Sequence, residues 1–264
     1  TMHEKITSAQ NPKIQRIRRL ITQKKARDEE AVFVIEGVRV VEEAFRQNAL
    51  IESVFYAEPV SARTAEILAQ AEKNSVPVYE TSGGLIDAIT DTRNAQPLLS
   101  VVRKRDLLLP NELTFLLVLD AIHDPGNLGT IIRTAAAVGV DCVLLAPNCT
   151  DPSAPKVLRS TMGAQFSLPV YELNWDELRT FFANRPEITV YASALDSEAE
   201  NFWDADLTGP IALIIGSEAD GIGADAAALA QKNLYIPMTN RVESMNAAIA
   251  SAILTYEVRR QRTL

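Results

Sequence analysis

Residues 115–145 read FLLVLDAIHDPGNLGTIIRTAAAVGVDCVLL, and they set the class of fold. The first five are all apolar, which is typical of a parallel strand that is covered on both faces. A turn signal, Asp124-Pro125-Gly126, precedes Asn127, which we expect to cap a helix over residues 127–138. A second strand is predicted at 141–145. The order strand, helix, strand predicts an α/β fold with a mainly parallel sheet.

The same alternation extends over the rest of the chain. Before residue 104 it predicts strands at 32–35, 52–56, 77–79 and 98–103 and helices at 38–47, 62–73 and 84–89. After residue 145 it predicts strands at 188–194, 211–215 and 234–237, helices at 176–183 and 224–231, and a final helix that ends near residue 260. We therefore predict an N-terminal α/β domain at 1–106 with a basic first helix, a linker at 107–113 and a second α/β domain at 114–264.

Composition excludes several classes of protein. The chain has 264 residues, 47% of them hydrophobic, yet no apolar run approaches the roughly 18–20 residues that a bilayer span needs. The N-terminus lacks the apolar core of a secretory signal, so we expect a cytoplasmic protein. Two cysteines and two widely separated histidines form no disulfide framework and no ligand cluster, so no metal is expected.

Charge is unevenly distributed along the chain. The net charge is −8, but residues 1–27 hold eight basic residues and one acidic residue, a local charge of +7. A basic segment on an acidic body indicates a polyanion bound by a local patch. The alternative is a solvated amphipathic helix, whose apolar stripe would be formed by Ile14, Ile17, Leu20 and Ile21.

Three loops that follow predicted strands carry unusual residues, and ligands of open α/β sheets bind at such strand ends. The first runs from Asp120 to Gly129; Arg133 lies about 9 Å further along the helix axis than Asn127 and leans back toward the loop. The second, residues 216–223, is glycine-rich but has neither the Walker A lysine nor the Gly-x-Gly-x-x-Gly spacing. Its acidic residues would repel a phosphate, so a nucleoside without phosphates fits it better than a dinucleotide.

The third loop contains Ile236-Pro237-Met238 and Ser244-Met245-Asn246 and leads into an alanine-rich helix. Ser244 or Asn246 could simply cap that helix. Its alanines allow close packing against another helix, in the core or across a dimer interface.

Together, in this order and spacing, the three loops resemble the motifs of the SpoU (TrmH-type) RNA ribose methyltransferases of the SPOUT superfamily. The resemblance covers about residues 114–259, with Met245 standing where the family usually has leucine. The segment Arg159-Ser160-Thr161-Met162-Gly163-Ala164 is similar to one that these enzymes carry between their first and second motifs. Residues 33–39, FVIEGVR, and Glu43-Ala44 resemble their small N-terminal substrate-binding domain.

The resemblance implies a C-terminal trefoil knot, a homodimer, and methylation of a ribose 2′-hydroxyl with S-adenosylmethionine as cofactor. Ribosomal RNA is the first candidate substrate and tRNA the second. The implied catalytic residues are Asn127, Arg133, Glu218, Ser244 and Asn246. The implied cofactor-binding residues are Ala194, Leu195, Gly216, Gly221, Ile236, Met238 and Met245. The residues expected to bind RNA are Arg16, Arg18, Arg19, Lys24, Lys25, Arg27 and Arg39.

The family mechanism assigns Arg133 as general base. An arginine side chain gives up its proton with difficulty, so we favour binding of the adjacent phosphate or stabilisation of a developing alkoxide. Two other classes remain open at this point. One is a non-catalytic RNA-binding or ribosome-assembly factor on the same scaffold, and the other is a Rossmann-like enzyme that acts on a small molecule.

Overall fold

The structure is a computed structural model that describes residues 3–90, 97–194, 198–217, 221–239 and 244–263. By their contacts the residues form two compact units. The first contains residues up to 106 together with 153–166, and the second contains residues 107–152 and those from 167 onward.

Strands and helices alternate through both units. The strands are β1 Glu4–Ile6, β2 Val32–Glu36, β3 Ile51–Ala57, β4 Val78–Thr81, β5 Leu98–Arg103, β6 Phe115–Leu119, β7 Cys142–Leu145, β8 Val170–Glu172, β9 Thr189–Ser193, β10 Glu200–Asn201, β11 Ile211–Ile215 and β12 Lys232–Tyr235. The helices are α1 Pro12–Thr22, α2 Lys24–Glu30, α3 Val38–Arg46, α4 Ala62–Lys73, α5 Gly83–Ile89, α6 Pro125–Val138, α7 Pro155–Thr161, α8 Trp175–Ala183, α9 Ala224–Leu229 and α10 Ala247–Arg262.

The first unit is a five-stranded sheet with helices on both faces. Its strand order is β1-β4-β3-β5-β2; β1, β4 and β3 are parallel, and β5 is antiparallel to β3 and β2. Alternate residues of β5 enter separate cores, with Leu99 and Val101 packed with α1 and α5, and Leu98 and Val102 packed with α3 and α4. This period of two is the pattern of a strand that is buried on both faces.

A segment from the second half of the sequence completes the first unit. Residues 153–166 form α7 and a short 3-10 helix, and Leu158, Met162 and Phe166 join the core cluster of α3 and α4. The domain boundaries predicted at residues 106 and 114 stay a prediction. The fourteen residues 153–166 pack with the first unit, whereas the residues before and after them in the sequence belong to the second unit.

The second unit contains an all-parallel sheet of seven strands in the order β10-β12-β9-β11-β6-β7-β8. Helices α8 and α9 form one core cluster with residues of β6, β7, β9 and β11. Helix α10 packs on α6 and β11. The predicted α/β class with mainly parallel strands is therefore confirmed, and Phe115–Leu119 is fully buried as expected.

The capping residues at the starts of two helices are informative. Helix α6 begins at Pro125, because the side chain of Asp124, not that of Asn127, caps it by accepting a hydrogen bond of 2.8 Å from the Asn127 amide. The prediction that Asn127 is the cap was wrong. Proline is well suited to the first helical turn, so the helix starts at residue 125 instead of residue 127. At α10 the cap is Asn246, whose Oδ1 accepts from the amides of Ala248 and Ile249.

Candidate active site

The loops singled out in the sequence follow neighbouring parallel strands of the second unit. Strand β12 pairs with β9, β9 with β11, and β11 with β6. Since all four run in one direction, their carboxyl ends share one edge of the sheet. The loops that begin at residues 120, 194, 216 and 236 therefore leave the sheet at the same edge.

Asp120 joins the first loop to the second. Its backbone amide donates to the Ile215 carbonyl at 2.9 Å, and its Oδ2 accepts from the amide of Gly223 at 2.7 Å. The side chain is buried, where a bond to a charged acceptor is stronger than one in water. Sequence reasoning missed this role, although an aspartate directly after an apolar strand was the available signal.

The loop after β11 closes so tightly that only glycine fits at 216. A Cβ there would lie 2.1 Å from the carbonyl oxygen and 2.3 Å from the carbonyl carbon of Gly221. Gly221 itself has a φ of +66° and donates its amide to the Ser217 carbonyl at 3.0 Å. This close backbone approach is made within the loop itself, between Gly216 and Gly221. Glu218, the acidic residue predicted to be catalytic, lies outside the described residues.

Asn127 and Asn246 meet, although 119 residues separate them in the sequence. Nδ2 of Asn246 donates to Oδ1 of Asn127 at 3.2 Å. Because Oδ1 of Asn246 is engaged at the start of α10, its amide nitrogen is the group that faces Asn127. Because Asp124 is the cap of α6, the side chain of Asn127 is available for this contact. The structure thus joins the first and third loops through two predicted catalytic residues.

Arg133 and Ser244 are placed in solvent. Arg133 is an exposed residue of α6, six positions beyond Asn127, and it forms no hydrogen bond or ion pair with the part of the chain that the structure describes. Ser244 is exposed in the segment that leads to α10. Both side chains are available to a ligand at this edge of the sheet.

The predicted cofactor-binding residues provide a mostly apolar environment. Ala194, Ile236, Met238 and Met245 are half-buried residues at or beyond the ends of β9 and β12. Such side chains, with the backbone groups of loops, suit a sulfonium nucleoside that carries no phosphate. The donor set therefore fits the implied S-adenosylmethionine. Leu195 lies outside the described residues.

Neither cysteine is a reactive nucleophile in this unit. Burial raises the pKa of Cys142 to about 12 and that of Cys149 to about 11. Cys149 donates its thiol proton to the Leu119 carbonyl at 3.2 Å, at the same edge of the sheet. Among the described residues no cluster of histidine, cysteine and acidic side chains could hold a metal ion. None of the helices that those residues form has the length and apolar character needed to cross a membrane.

The basic residues of the first unit are largely paired with acids. Arg16 bonds to Glu52 at 2.6 Å and to Glu30 at 2.7 Å, and these carboxylates raise its pKa. Arg19 also bonds to Glu30, and Lys25 lies 3.7 Å from Glu29. The apolar stripe of Ile14, Ile17 and Leu20 is buried, as the amphipathic-helix alternative predicts. The net charge of +7 that residues 1–27 carry is therefore partly neutralised by acidic side chains that lie close to them in the structure.

Arg27 requires a correction. It is only 3% exposed, and its guanidinium donates to the carbonyls of Leu20 and Ile21 and to Oγ of Ser153. These bonds satisfy carbonyls at the end of α1, so Arg27 stabilises the fold and cannot reach a phosphate. Arg18 is half-buried and Lys24 and Arg39 are exposed, so these three predicted residues remain accessible.

Comparisons with known proteins identify the family of the chain. The SpoU rRNA methylase family matches residues 114–256, and the MRM3-like substrate binding domain matches residues 11–100. The 23S rRNA (guanosine(2553)-2′-O)-methyltransferase RlmP of Bacillus subtilis strain 168 is 35% identical to this chain, over 97% of this chain and 99% of that protein.

Two solved structures are similar over nearly the whole chain. The S-adenosylmethionine-bound rRNA methyltransferase of Sinorhizobium meliloti has a TM-score of 0.85 at 31% identity and covers 97% of both chains. The SpoU methyltransferase AviRb of Streptomyces viridochromogenes, also with S-adenosylmethionine, has a TM-score of 0.85 at 26% identity, over 96% of this chain and 99% of that one. The residues brought together at the sheet edge and these matches lead to one conclusion: the chain belongs to the SpoU rRNA methylase family.

Proposed function

We propose that ribosomal RNA, with a guanosine of the large-subunit RNA as first candidate, is the substrate of this S-adenosylmethionine-dependent RNA 2′-O-methyltransferase. The structural observation that supports a methyl-transfer site is the bond between Asn127 and Asn246, which joins the first and third motif loops. The target class is supported by RlmP, whose name specifies a guanosine of 23S rRNA. Neither a non-catalytic factor nor a small-molecule enzyme is favoured by these relatives.

The cofactor residues are assigned by position. S-adenosylmethionine supplies a methyl group that is already activated by the sulfonium charge. Gly216, Ile236 and Met245 would hold it through backbone groups, while Ala194 would line the cleft and Gly221 and Met238 would complete the set. The protein therefore has to position the 2′-hydroxyl and assist the loss of its proton.

The substrate side of the reaction is assigned to the polar residues of the first and third loops. Asn127 and Asn246 would orient the ribose, and Ser244 and Glu218 would complete the polar surface around it. Arg133 would bind the phosphate next to the target ribose and stabilise negative charge that develops on the 2′-oxygen. Its exposure and its lack of a partner among the described residues support this role.

A homodimer is supported by one face of α10. Ile249 and Tyr256 lie seven residues apart and are 54% and 55% exposed, and Ala252 and Ile253 between them are half-buried. This spacing puts the apolar side chains on one side of the helix, which a second copy would cover. Sedimentation of the wild type as a dimer and of Tyr256→Glu as a monomer would support the assignment; a monomeric wild type would refute it.

The knot and the location in the cell are part of the same proposal. A trefoil knot in the second unit is supported by family membership and by the packing of α10 on α6 and β11. An experimentally traced backbone without a knot would refute it. A cytoplasmic location is supported by the bacterial relative RlmP.

The function is tested by cofactor titration followed by mapping of the product. We expect S-adenosylmethionine and S-adenosylhomocysteine to bind in isothermal titration while NAD does not. We then expect tritium transfer to ribosomal RNA in preference to tRNA, and loss of one 2′-O-methyl from the rRNA of a deletion strain. Transfer to tRNA alone would overturn the substrate assignment. Full activity of Arg133→Ala would remove Arg133 from the mechanism.

A further inference from the structure

Asp120 holds both ends of the second loop, residues 216–223. The loop begins directly after Ile215, whose carbonyl accepts a hydrogen bond of 2.9 Å from the Asp120 amide. At the far end of the loop, the amide of Gly223 donates to Oδ2 of Asp120 at 2.7 Å. Because both bonds are made by one residue, the two ends of the loop are fixed relative to the end of β6.

The bond between Gly223 and Asp120 is a strong one. Asp120 is only 6% exposed, and burial of a carboxylate costs free energy unless it is hydrogen-bonded. A charged acceptor forms shorter and stronger bonds than a neutral one, and this bond has such a length. The approach is close, since a Cβ at residue 223 would lie 3.3 Å from Oδ2 of Asp120. The amide of Gly223 is therefore firmly held.

The interior of the loop is shaped by contacts of a different kind. Gly221 donates its amide to the Ser217 carbonyl, and Gly216 lies against the backbone of Gly221. These contacts tighten the turn, but they join the loop to itself. The side chain of Asp120 joins the loop to β6, the strand that carries the first loop. Removal of this carboxylate would therefore loosen the position of the loop and leave its internal turn intact.

We propose that Asp120 is a positioning residue for S-adenosylmethionine, whose carboxylate keeps the loop in its binding conformation before the cofactor arrives. A ligand binds more weakly to a protein whose competent conformation is only partly populated, in proportion to that population. Without the carboxylate, the Gly223 amide has no acceptor in this position, and cofactor binding has to order the loop. This role rests on the proposed function, which assigns residues of the loop to the cofactor.

Two variants of Asp120 and a matched control test this role. Asp120→Ala removes the acceptor and keeps the backbone bond to Ile215. Asp120→Asn keeps an acceptor oxygen of the same reach without the charge, so it should restore most of the lost function. The control is Asp141→Ala, because Oδ2 of Asp141 accepts from the amides of Thr114 and Phe115 at 2.7 and 2.8 Å. These bonds are of the same kind but lie at the opposite end of β6.

Cofactor binding is measured by isothermal titration of the full chain with S-adenosylmethionine and, separately, with S-adenosylhomocysteine. Asp120→Ala should raise the Kd of both ligands roughly tenfold, because a displaced loop affects both alike. Asp120→Asn should stay within about threefold of the wild type, since a neutral acceptor forms a weaker bond. Asp141→Ala should bind both ligands like the wild type, although it also loses hydrogen bonds and melts at a lower temperature.

Two further measurements separate positioning from chemistry. In the methylation assay, Asp120→Ala should raise KM for the cofactor roughly tenfold and leave kcat and KM for the RNA unchanged. An amide exchanges its hydrogen when its bond opens, so the Gly223 amide should exchange at least about tenfold faster in Asp120→Ala without cofactor. Saturating S-adenosylhomocysteine should slow that exchange again. NMR resolves this amide, and thermal melting verifies that each variant is folded.

Several results would overturn the positioning role. Equal weakening of cofactor binding by Asp120→Ala and Asp141→Ala would reduce the effect to general stability. Weaker binding of S-adenosylmethionine alone would mean that Asp120 acts on the sulfonium charge and not through the loop. If Asp120→Ala does not fold, Asp120→Ser replaces it, since its hydroxyl is one bond shorter than the carboxylate. If the wild type binds no cofactor, the proposed function fails, while exchange of the Gly223 amide still shows whether Asp120 holds the loop.

Discussion

A methyl group at residue 216 has no room in the loop that follows β11. The Gly221 carbonyl oxygen would have to move by about 0.9 Å for its distance to the new Cβ to reach even 3.0 Å. That movement would break the bond from Gly221 to Ser217 and the bond from Gly223 to Asp120. Losing a neutral and a charge-assisted bond costs about 2–4 kcal/mol together.

We therefore expect Gly216→Ala to lower the melting temperature by roughly 5–15 °C. S-adenosylmethionine should bind about 10–100-fold more weakly, because the backbone groups assigned to it are displaced. Differential scanning fluorimetry and isothermal titration measure the two effects. Gly209→Ala is the matched control, since a Cβ at 209 has no neighbour within 4 Å. The reasoning would be refuted if Gly216→Ala bound the cofactor as tightly as Gly209→Ala and melted at the same temperature.

Four further predictions concern other residues. Arg27→Met should reduce the free energy of unfolding by about 3 kcal/mol in denaturant titrations without changing RNA affinity, because Arg27 bonds to buried acceptors. Arg18→Ala should leave the free energy of unfolding unchanged but weaken RNA binding, and it should reduce the slope of log affinity against log salt concentration by about 1. An unchanged slope would contradict this prediction. Asn246→Asp keeps a capping oxygen but removes the donor to Asn127, so tritium transfer should fall about 10–100-fold at an unchanged melting temperature, and full activity would show that the contact is not used. With a pKa of about 11, Cys149 is only ~0.1% thiolate at pH 8, so native iodoacetamide labelling, followed by mass spectrometry, should be slow and should accelerate as the pH rises toward 11; rapid labelling at pH 8 would contradict its burial.

Local patterns predicted the elements whose own residues determine them. Helix 62–73 and the strands at 98–103, 115–119 and 211–215 have the bounds that the sequence predicted. In each, the apolar period matches the burial that the structure shows. The loops of the candidate site were also predicted, because strand ends in a parallel sheet share one edge.

The remaining features depend on contacts between distant residues. Strand β1 has three residues and β8 has three, too few for a periodic signal, and each exists because a neighbouring strand pairs with it. The burial of Arg27 depends on Ser153, which lies 126 residues away. The contact between Asn127 and Asn246 could not be predicted either, because it required the start of α6 to be at Pro125.

The placement of residues 153–166 determines how relatives of this protein can be recombined. The chain passes from one unit to the other after residues 106, 152 and 166, so the first unit is assembled from two separate parts of the sequence. A chimera with a single crossover near residue 107 would pair the sheet of one parent with α7 of the other, and Leu158 would enter a core it was not matched to. Exchange of the substrate unit between family members to alter target choice therefore requires three junctions, with α7 travelling together with β2.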